Sequence, residues 1–291
     1  MTAAPSQVYF PSGFQELFST WNRLNDAVLC AGGNEQIRYQ GRRIPVLPKN
    51  IISLDRLTEL CKISRTERYL EIGAMVKLNQ IVHLGKIVPE ALIRCLECIA
   101  GPALRNMATI GGNICNPSRR LDCSGPMIAL DAQYELRTVQ STRWISASRF
   151  SSLPGPPVLG KQELLTRVRV PLEPWTFTRY HKFKTHGGNK PGGGILFILR
   201  NQKRTLTDIR VVYSGQIILR EKNSETMLAG KHLPLDRKYA SAFVDSWRNY
   251  LSILSGIENS IFPEEAGNFE PELVKTQILN FIETTIMRIS E

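Results

Sequence analysis

Phe14, Leu17, Phe18 and Trp21 recur at helical spacing, which predicts a helix from about residue 14 to 24 with Ser12 as its N-cap. The apolar stretch 27–30 predicts a short buried strand that runs into Gly32-Gly33. Segments 44–48 and 50–54 predict strands parted by turn residues, 56–61 a short helix or turn, and 69–73 another strand. Segments 77–84 and 89–100 have helical spacing, the second opened by Pro89 at a first-turn position. Strands follow at 134–137 and 143–145, and 164–170 alternates as a half-buried strand does. Further on, 195–199 and 209–213 predict sheet strands, and 239–255 and 271–289 predict helices. The turn-rich run 151–157 is expected to be a loop, whereas Pro171-Leu172-Glu173-Pro174 makes a boundary. The pattern is α+β, with one domain over 1–174, itself divided near residue 56, and a smaller one over 175–291.

Length and apolar content change this picture little: 291 residues suffice for two domains and a sizeable core. No apolar run approaches the length that spans a bilayer, and residues 1–6 lack the basic and apolar parts of a signal peptide. A cytoplasmic location is therefore expected. A net charge of +11 raises a nucleic-acid reading, but the basic residues are scattered and no nucleic-acid module signature is present. Six cysteines are too sparse for a disulfide framework. Cys95 and Cys98 are expected to be helix residues, because Cys115 and Cys123 do not complete a metal-ligand spacing. The four histidines have no metal spacing either, and no nucleophile–base constellation emerges. No catalytic residue and no metal ligand is assigned.

Candidate chemistry lies in two paired-glycine runs. Ala31-Gly32-Gly33-Asn34-Glu35 follows the apolar stretch 27–30, and Arg105 to Asn113 reads RNMATIGGN. Glycine lets a backbone approach a ligand and adopt positive φ, and successive exposed N–H groups form an anion-binding concavity. Two such turns suit the two phosphates of a dinucleotide, although neither has the spacing of the common phosphate loops. The glycine-rich run 187–194 lacks the Lys-Ser/Thr pair of such a loop and is expected to be a connecting loop.

RNMATIGGN, with Asn116 to Asp122 and Met127 to Ala132 after it, resembles the flavin-binding medium subunit of the molybdenum hydroxylases, the xanthine dehydrogenase and carbon monoxide dehydrogenase family. The resemblance runs back through Leu70-Glu71-Ile72-Gly73-Ala74 to the first glycine run. It runs forward through Asp208 to Gly215 and Leu228-Ala229-Gly230, covering roughly residues 5 to 235 in order. It implies a two-lobed FAD-binding domain of the vanillyl-alcohol-oxidase/PCMH-like type, followed by a C-terminal α+β domain of the CO dehydrogenase flavoprotein type. FAD is the implied cofactor, held by Ala31, Gly32, Gly33, Asn34, Glu35, Thr109, Gly111, Gly112 and Asn113. Ser118 and Asp122 would contact its sugar or adenine portions, Leu165 would pack on the flavin, and Lys184 would lie near its ring. The implied partners are a molybdopterin-binding large subunit and an iron–sulfur small subunit. Electrons would pass from these to FAD and on to a nicotinamide cofactor, oxygen or another acceptor. Two alternatives stand beside this reading: a stand-alone flavin-dependent oxidoreductase, and a non-catalytic subunit whose flavin site has degenerated through Glu35, Arg119 and the stretch 186–194.

Overall fold

The computed structural model describes residues 6–34, 47–116, 122–151, 157–183, 193–215, 217–255 and 271–290. The chain opens with β1 (Gln7–Tyr9), α1 (Phe14–Arg23), β2 (Val28–Cys30) and β3 (Asn50–Ser53). The three strands form a parallel sheet in the order β1-β3-β2. Leu17 and Phe18 of α1 pack on Ile52 of its central strand, with Leu54, Leu57 and Leu60, in a small core. The helix is N-capped at Gly13, not at Ser12 as the sequence suggested. Ser12 stands one residue earlier and donates its N–H and its hydroxyl to Glu16 Oε2, both at 2.8 Å. Leu47 and Pro48 fall outside any strand, and the rest of the expected strand 44–48 lies outside the described residues.

The second region comprises β4 (Ile63–Arg65), β5 (Tyr69–Gly73), α2 (Leu78–His83), α3 (Glu90–Glu97), α4 (Pro102–Met107) and α5 (Ile110–Ile114). It continues through α6 (Ser124–Ala129), β6 (Gln133–Arg137), β7 (Thr142–Ser146), α7 (Ala147–Phe150) and β8 (Leu164–Pro171). Its strands form an antiparallel sheet in the order β4-β5-β8-β6-β7. Period-two alternation sends Leu70, Ile72, Tyr134, Leu136, Val168 and Val170 into the main core. The opposite face is ionic, as one face of an antiparallel sheet can be. There Glu71 binds Arg167 and Arg169, each at 2.7 Å. Burial pushes the Glu71 carboxyl up, but the two arginines hold it below the ordinary carboxylate value.

The expected helix 89–100 is shorter, with Pro89 as N-cap rather than in the first turn. Its end is tied by Arg105 Nη1, which donates to the carbonyls of Glu97, Ile99 and Ala100 at 3.2, 3.0 and 2.7 Å. A guanidinium so placed satisfies the orphan carbonyls of a helix C-terminus.

The third region holds β9 (Phe177–Lys182), β10 (Gly194–Gln202), β11 (Thr205–Ser214) and β12 (Ile218–Leu219), antiparallel in the order β12-β11-β10-β9. α8 (Lys222–Leu228), α9 (Arg237–Ser255) and α10 (Pro271–Ser290) follow. Both faces of this sheet's central strands, β10 and β11, carry apolar residues into a core. Leu196, Ile198 and Val212 join the main core, while Ile195, Phe197, Val211 and Tyr213 pack with Phe243, Trp247, Ile278 and Ile282 in a second one. Arg210 of β11 crosses back to the second region, donating to the Ala129 carbonyl at 2.6 Å and pairing with Asp131 at 2.5 Å. Between Pro171 and Phe177 the chain passes from one sheet to the next, and the main core contains residues from both. The architecture is α+β, as the pattern predicts, and no helix among the described residues is long and apolar enough to cross a membrane.

Candidate functional site

β2 delivers the first glycine run. Its parallel pairing to β3 ends with Leu54 N–H donating to the Cys30 carbonyl at 2.9 Å, after which the chain leaves the sheet. Ala31, Gly32, Gly33 and Asn34 are half-buried there. Gly33 has φ +70°, a conformation that favours glycine. Among the described residues, the N–H groups of Ala31, Gly32, Gly33 and Asn34 donate to no protein acceptor. Four consecutive open donors, half-shielded from water, are what an anionic oxygen needs. The neighbouring Cys30 thiol is pushed up by burial and by Asp55, so it stays neutral and adds no charge against an anion.

The second run is built differently, and its amides are not bare as the sequence suggested. Ile110 N–H donates to Val76 O at 3.0 Å and Gly111 N–H to Ala74 O at 2.8 Å. Gly112 N–H donates to Thr109 Oγ1 and Asn113 N–H to Thr109 O, both at 3.0 Å. Thr109 is buried and acts as the N-cap of α5. Asn113 turns its side-chain oxygen inward to accept from Cys123 N–H at 3.2 Å. The run is thus zipped onto the chain just after β5. A Cβ on Gly111 would stand 2.8 Å from both Ala74 Cβ and Ala74 O, so glycine is required there for packing.

The structure brings the two runs into contact. A Cβ on Gly32 would stand 2.3 Å from Met107 O, and one on Gly112 would stand 3.6 Å from Ala31 Cβ. Asn34 Nδ2 donates to Leu104 O at 3.3 Å. Seventy-odd residues apart in sequence, the runs form one surface on which the second supports the first.

Asp122 lies just beyond the second run and is mostly buried. Its Oδ2 meets Lys182 Nζ at 3.0 Å, and its carbonyl accepts from Cys95 Sγ at 3.3 Å. The sequence reading missed Lys182, whose partner stands sixty residues away. Leu165 sits opposite Leu136 and is buried in the main core. Glu35, Ser118 and Lys184 lie outside the described residues, as do Arg119 and most of the stretch 186–194. Cys95 is buried and Cys98 exposed, so the Cys-x-x-Cys pair does not share one environment. Among the described residues no group of three or more His, Cys, Asp or Glu could hold a metal ion.

Residues 4–173 match the family described as the FAD binding domain in molybdopterin dehydrogenase. The chain is 26% identical over 223 residues to the carbon monoxide dehydrogenase medium chain of Hydrogenophaga pseudoflava, covering 75% of this chain and 77% of that one. It is 24% identical over 275 residues to the nicotine 6-hydroxylase medium subunit of Paenarthrobacter nicotinovorans, covering 92% and 94%. Among solved structures, carbon monoxide dehydrogenase from Hydrogenophaga pseudoflava superposes with a TM-score of 0.82 at 23% identity, covering 100% of this chain and 98% of that one. Quinoline 2-oxidoreductase from Pseudomonas putida 86 gives 0.81 at 20% identity, covering 100% and 98%. The chain belongs to the family of FAD-binding domains of molybdopterin dehydrogenases, and it is an FAD-binding oxidoreductase subunit of the molybdenum hydroxylase type.

Proposed function

We propose that the FAD diphosphate rests on the backbone N–H groups of Ala31, Gly32, Gly33 and Asn34. The observation that carries this reading is the contrast between the two glycine runs: the first leaves four donors open, and the second spends its own on protein. Oriented N–H groups at a half-shielded site stabilise an anion more than water-exposed ones do. Thr109, Gly111, Gly112 and Asn113 then act by holding the first run in place and by presenting a backbone without bulky side chains beside it. Asp122 offers its second carboxylate oxygen to a sugar hydroxyl while Lys182 neutralises the first. Glu35, Ser118, Leu165 and Lys184 complete the proposed set. The cofactor-binding domain would span 1–174 and the C-terminal domain 175–291.

When bound, FAD supplies the redox chemistry, while the chain binds and orients it and excludes water. The chain would serve a complex in which a molybdopterin-binding large subunit and an iron–sulfur small subunit furnish electrons destined for a nicotinamide cofactor or another acceptor. The relatives named as medium chain and medium subunit support such an assembly. The test is to load the purified chain with FAD and assay it with heterocyclic substrates and with NADH. We expect one noncovalent FAD per chain, released on acid precipitation, slow NADH-to-dye activity and no turnover of heterocycles. Robust heterocycle turnover by this chain alone would overturn the subunit reading, and a failure to bind micromolar FAD would overturn the cradle.

A further inference from the structure

β9 ends the C-terminal sheet, and its residues Arg179 and His181 lie on the face turned to α10. Arg179 Nη1 donates to Thr284 Oγ1 at 3.0 Å and Thr285 Oγ1 at 2.6 Å. Both hydroxyls donate onward to α10 carbonyls, at Asn280 and Phe281, which leaves their lone pairs aimed at the guanidinium. The same guanidinium lies 4.7 Å from the Phe281 ring centre. His181 stacks on that ring, with centroids 6.2 Å apart and planes at 28°, and meets Phe183 edge-on at 5.2 Å. Arg288 is exposed one turn along α10 from Thr284 and Thr285.

Among the described residues, none of these three groups meets a carboxylate, and that sets them apart. Other partly buried arginines in or beside the sheets are paired: Arg169 with Glu71, Arg200 with Glu173 and Asp208, Arg210 with Asp131 and Asp208, Arg220 with Glu225. Arg137 of β6 has no carboxylate partner among the described residues, but it stands alone over the Phe14 ring, 4.1 Å from its centre, and not in a cluster of cations. Glu283, the acid of α10 nearest in sequence, is engaged by Arg248 of α9 at 3.3 Å. Lys182 points to the opposite face of β9, to Asp122. Tyr213, across Phe183 from His181, is buried, which pushes its hydroxyl up and keeps it neutral. Arg179 is held down from its ordinary value by burial and by Arg288, and His181 by burial and by Arg179, as unopposed neighbouring cations require.

The threonines and Phe281 fix one edge of the Arg179 guanidinium, so its Nε–Nη2 edge remains as a planar two-donor fork, the geometry that takes a phosphoryl group bidentately. We propose that Arg179, His181 and Arg288 form a binding site for a phosphoryl dianion, with Arg179 as the fork and His181 and Arg288 as flanking charges. Free phosphate and the phosphate of a mononucleotide share this chemistry.

The test uses the purified full chain and follows the histidine ring protons by NMR from about pH 5 to 8. The His181 signal is assigned with His181→Gln. Chloride and inorganic phosphate are compared at equal ionic strength, and AMP is used in a second arm. An anion against His181 favours its charged form, so phosphate should raise its midpoint by about half a unit or more. His83 and His232 should not move, and the rise should vanish in Arg179→Gln and Arg288→Gln. The second variant is at an exposed helix position, so it keeps the fold if the first does not. Saturation by AMP at lower concentration than by phosphate assigns the nucleotide as source, and the reverse order assigns free phosphate. An unmoved His181 midpoint, or a rise that survives Arg288→Gln, would overturn the site.

Discussion

Gly32→Ala separates the proposed cradle from its support by an amount the structure defines. The new Cβ would stand 2.3 Å from Met107 O, 3.0 Å from Met107 C and 3.2 Å from Ala108 Cα, all backbone atoms. A carbon–oxygen contact settles at about 3.3 Å or beyond, so the runs must part by roughly 1 Å. Overpacking of that kind costs about 1–3 kcal/mol of stability. The larger effect should be on the cofactor. A displacement of ~1 Å takes a hydrogen bond of about 2.9 Å beyond the distance at which it holds. Each hydrogen bond to a charged group is worth about 1.5–3 kcal/mol. Losing one therefore weakens FAD binding roughly 10- to 100-fold. Gly33→Ala is the control, because its Cβ meets only Cys30 Sγ, at 3.7 Å. Its φ of +70° adds about 1–2 kcal/mol of strain but leaves the two runs together. FAD affinity is read by fluorescence titration and fold stability by urea unfolding of the cofactor-free chain. A folded Gly32→Ala that binds FAD as tightly as the parent would refute both the contact and the cradle.

Two further predictions follow from single contacts. Thr109→Val keeps the shape of a buried side chain but removes the N-cap acceptor of the Gly112 N–H, which should cost about 0.5–2 kcal/mol, whereas Thr109→Ser should restore most of it; equal urea midpoints for the two variants would remove the cap. Glu163 receives Arg143 Nε at 2.6 Å, Arg143 Nη2 at 2.8 Å and Gly160 N–H at 2.8 Å, and the Arg143 hydrogen bonds hold its carboxyl below the ordinary value against burial. Its stabilisation is present above the unfolded-state value and is lost as pH falls through the lower folded one, so the urea midpoint should drop more steeply below about pH 4.3 in the parent than in Glu163→Gln. Superimposable acid limbs would show that the pair contributes nothing.

The sequence carried what is local. Phe14, Leu17, Phe18 and Trp21 marked α1, and the alternation over 164–170 marked β8 because both faces of that strand obey one period. α6 escaped notice because Gly125-Pro126 reads as a turn, yet both sit inside a buried helix. A Cβ on Gly125 would stand 2.8 Å from Ser214 Cβ, so the glycine serves close approach of helix to sheet. The two glycine runs were visible as candidates, but not the difference between them. Whether an N–H is open depends on which carbonyls fold against it, and for Ile110 and Gly111 those belong to Val76 and Ala74. The Asp122–Lys182 pair is likewise a product of tertiary contact, with no trace in either local pattern.

The β9–β12 sheet contributes Leu196, Ile198 and Val212 to one core and Ile195, Phe197 and Val211 to the other, so it is a wall shared by two rooms. Unfolding either core strips one side of that wall and leaves the other without a rigid backing. Two regions that look separable by sequence should therefore melt in a single cooperative transition. A fragment ending at residue 174 would expose the side chains of α3 and α6 that Leu196 and Val212 now cover, an apolar surface prone to aggregation rather than a free-standing flavodomain.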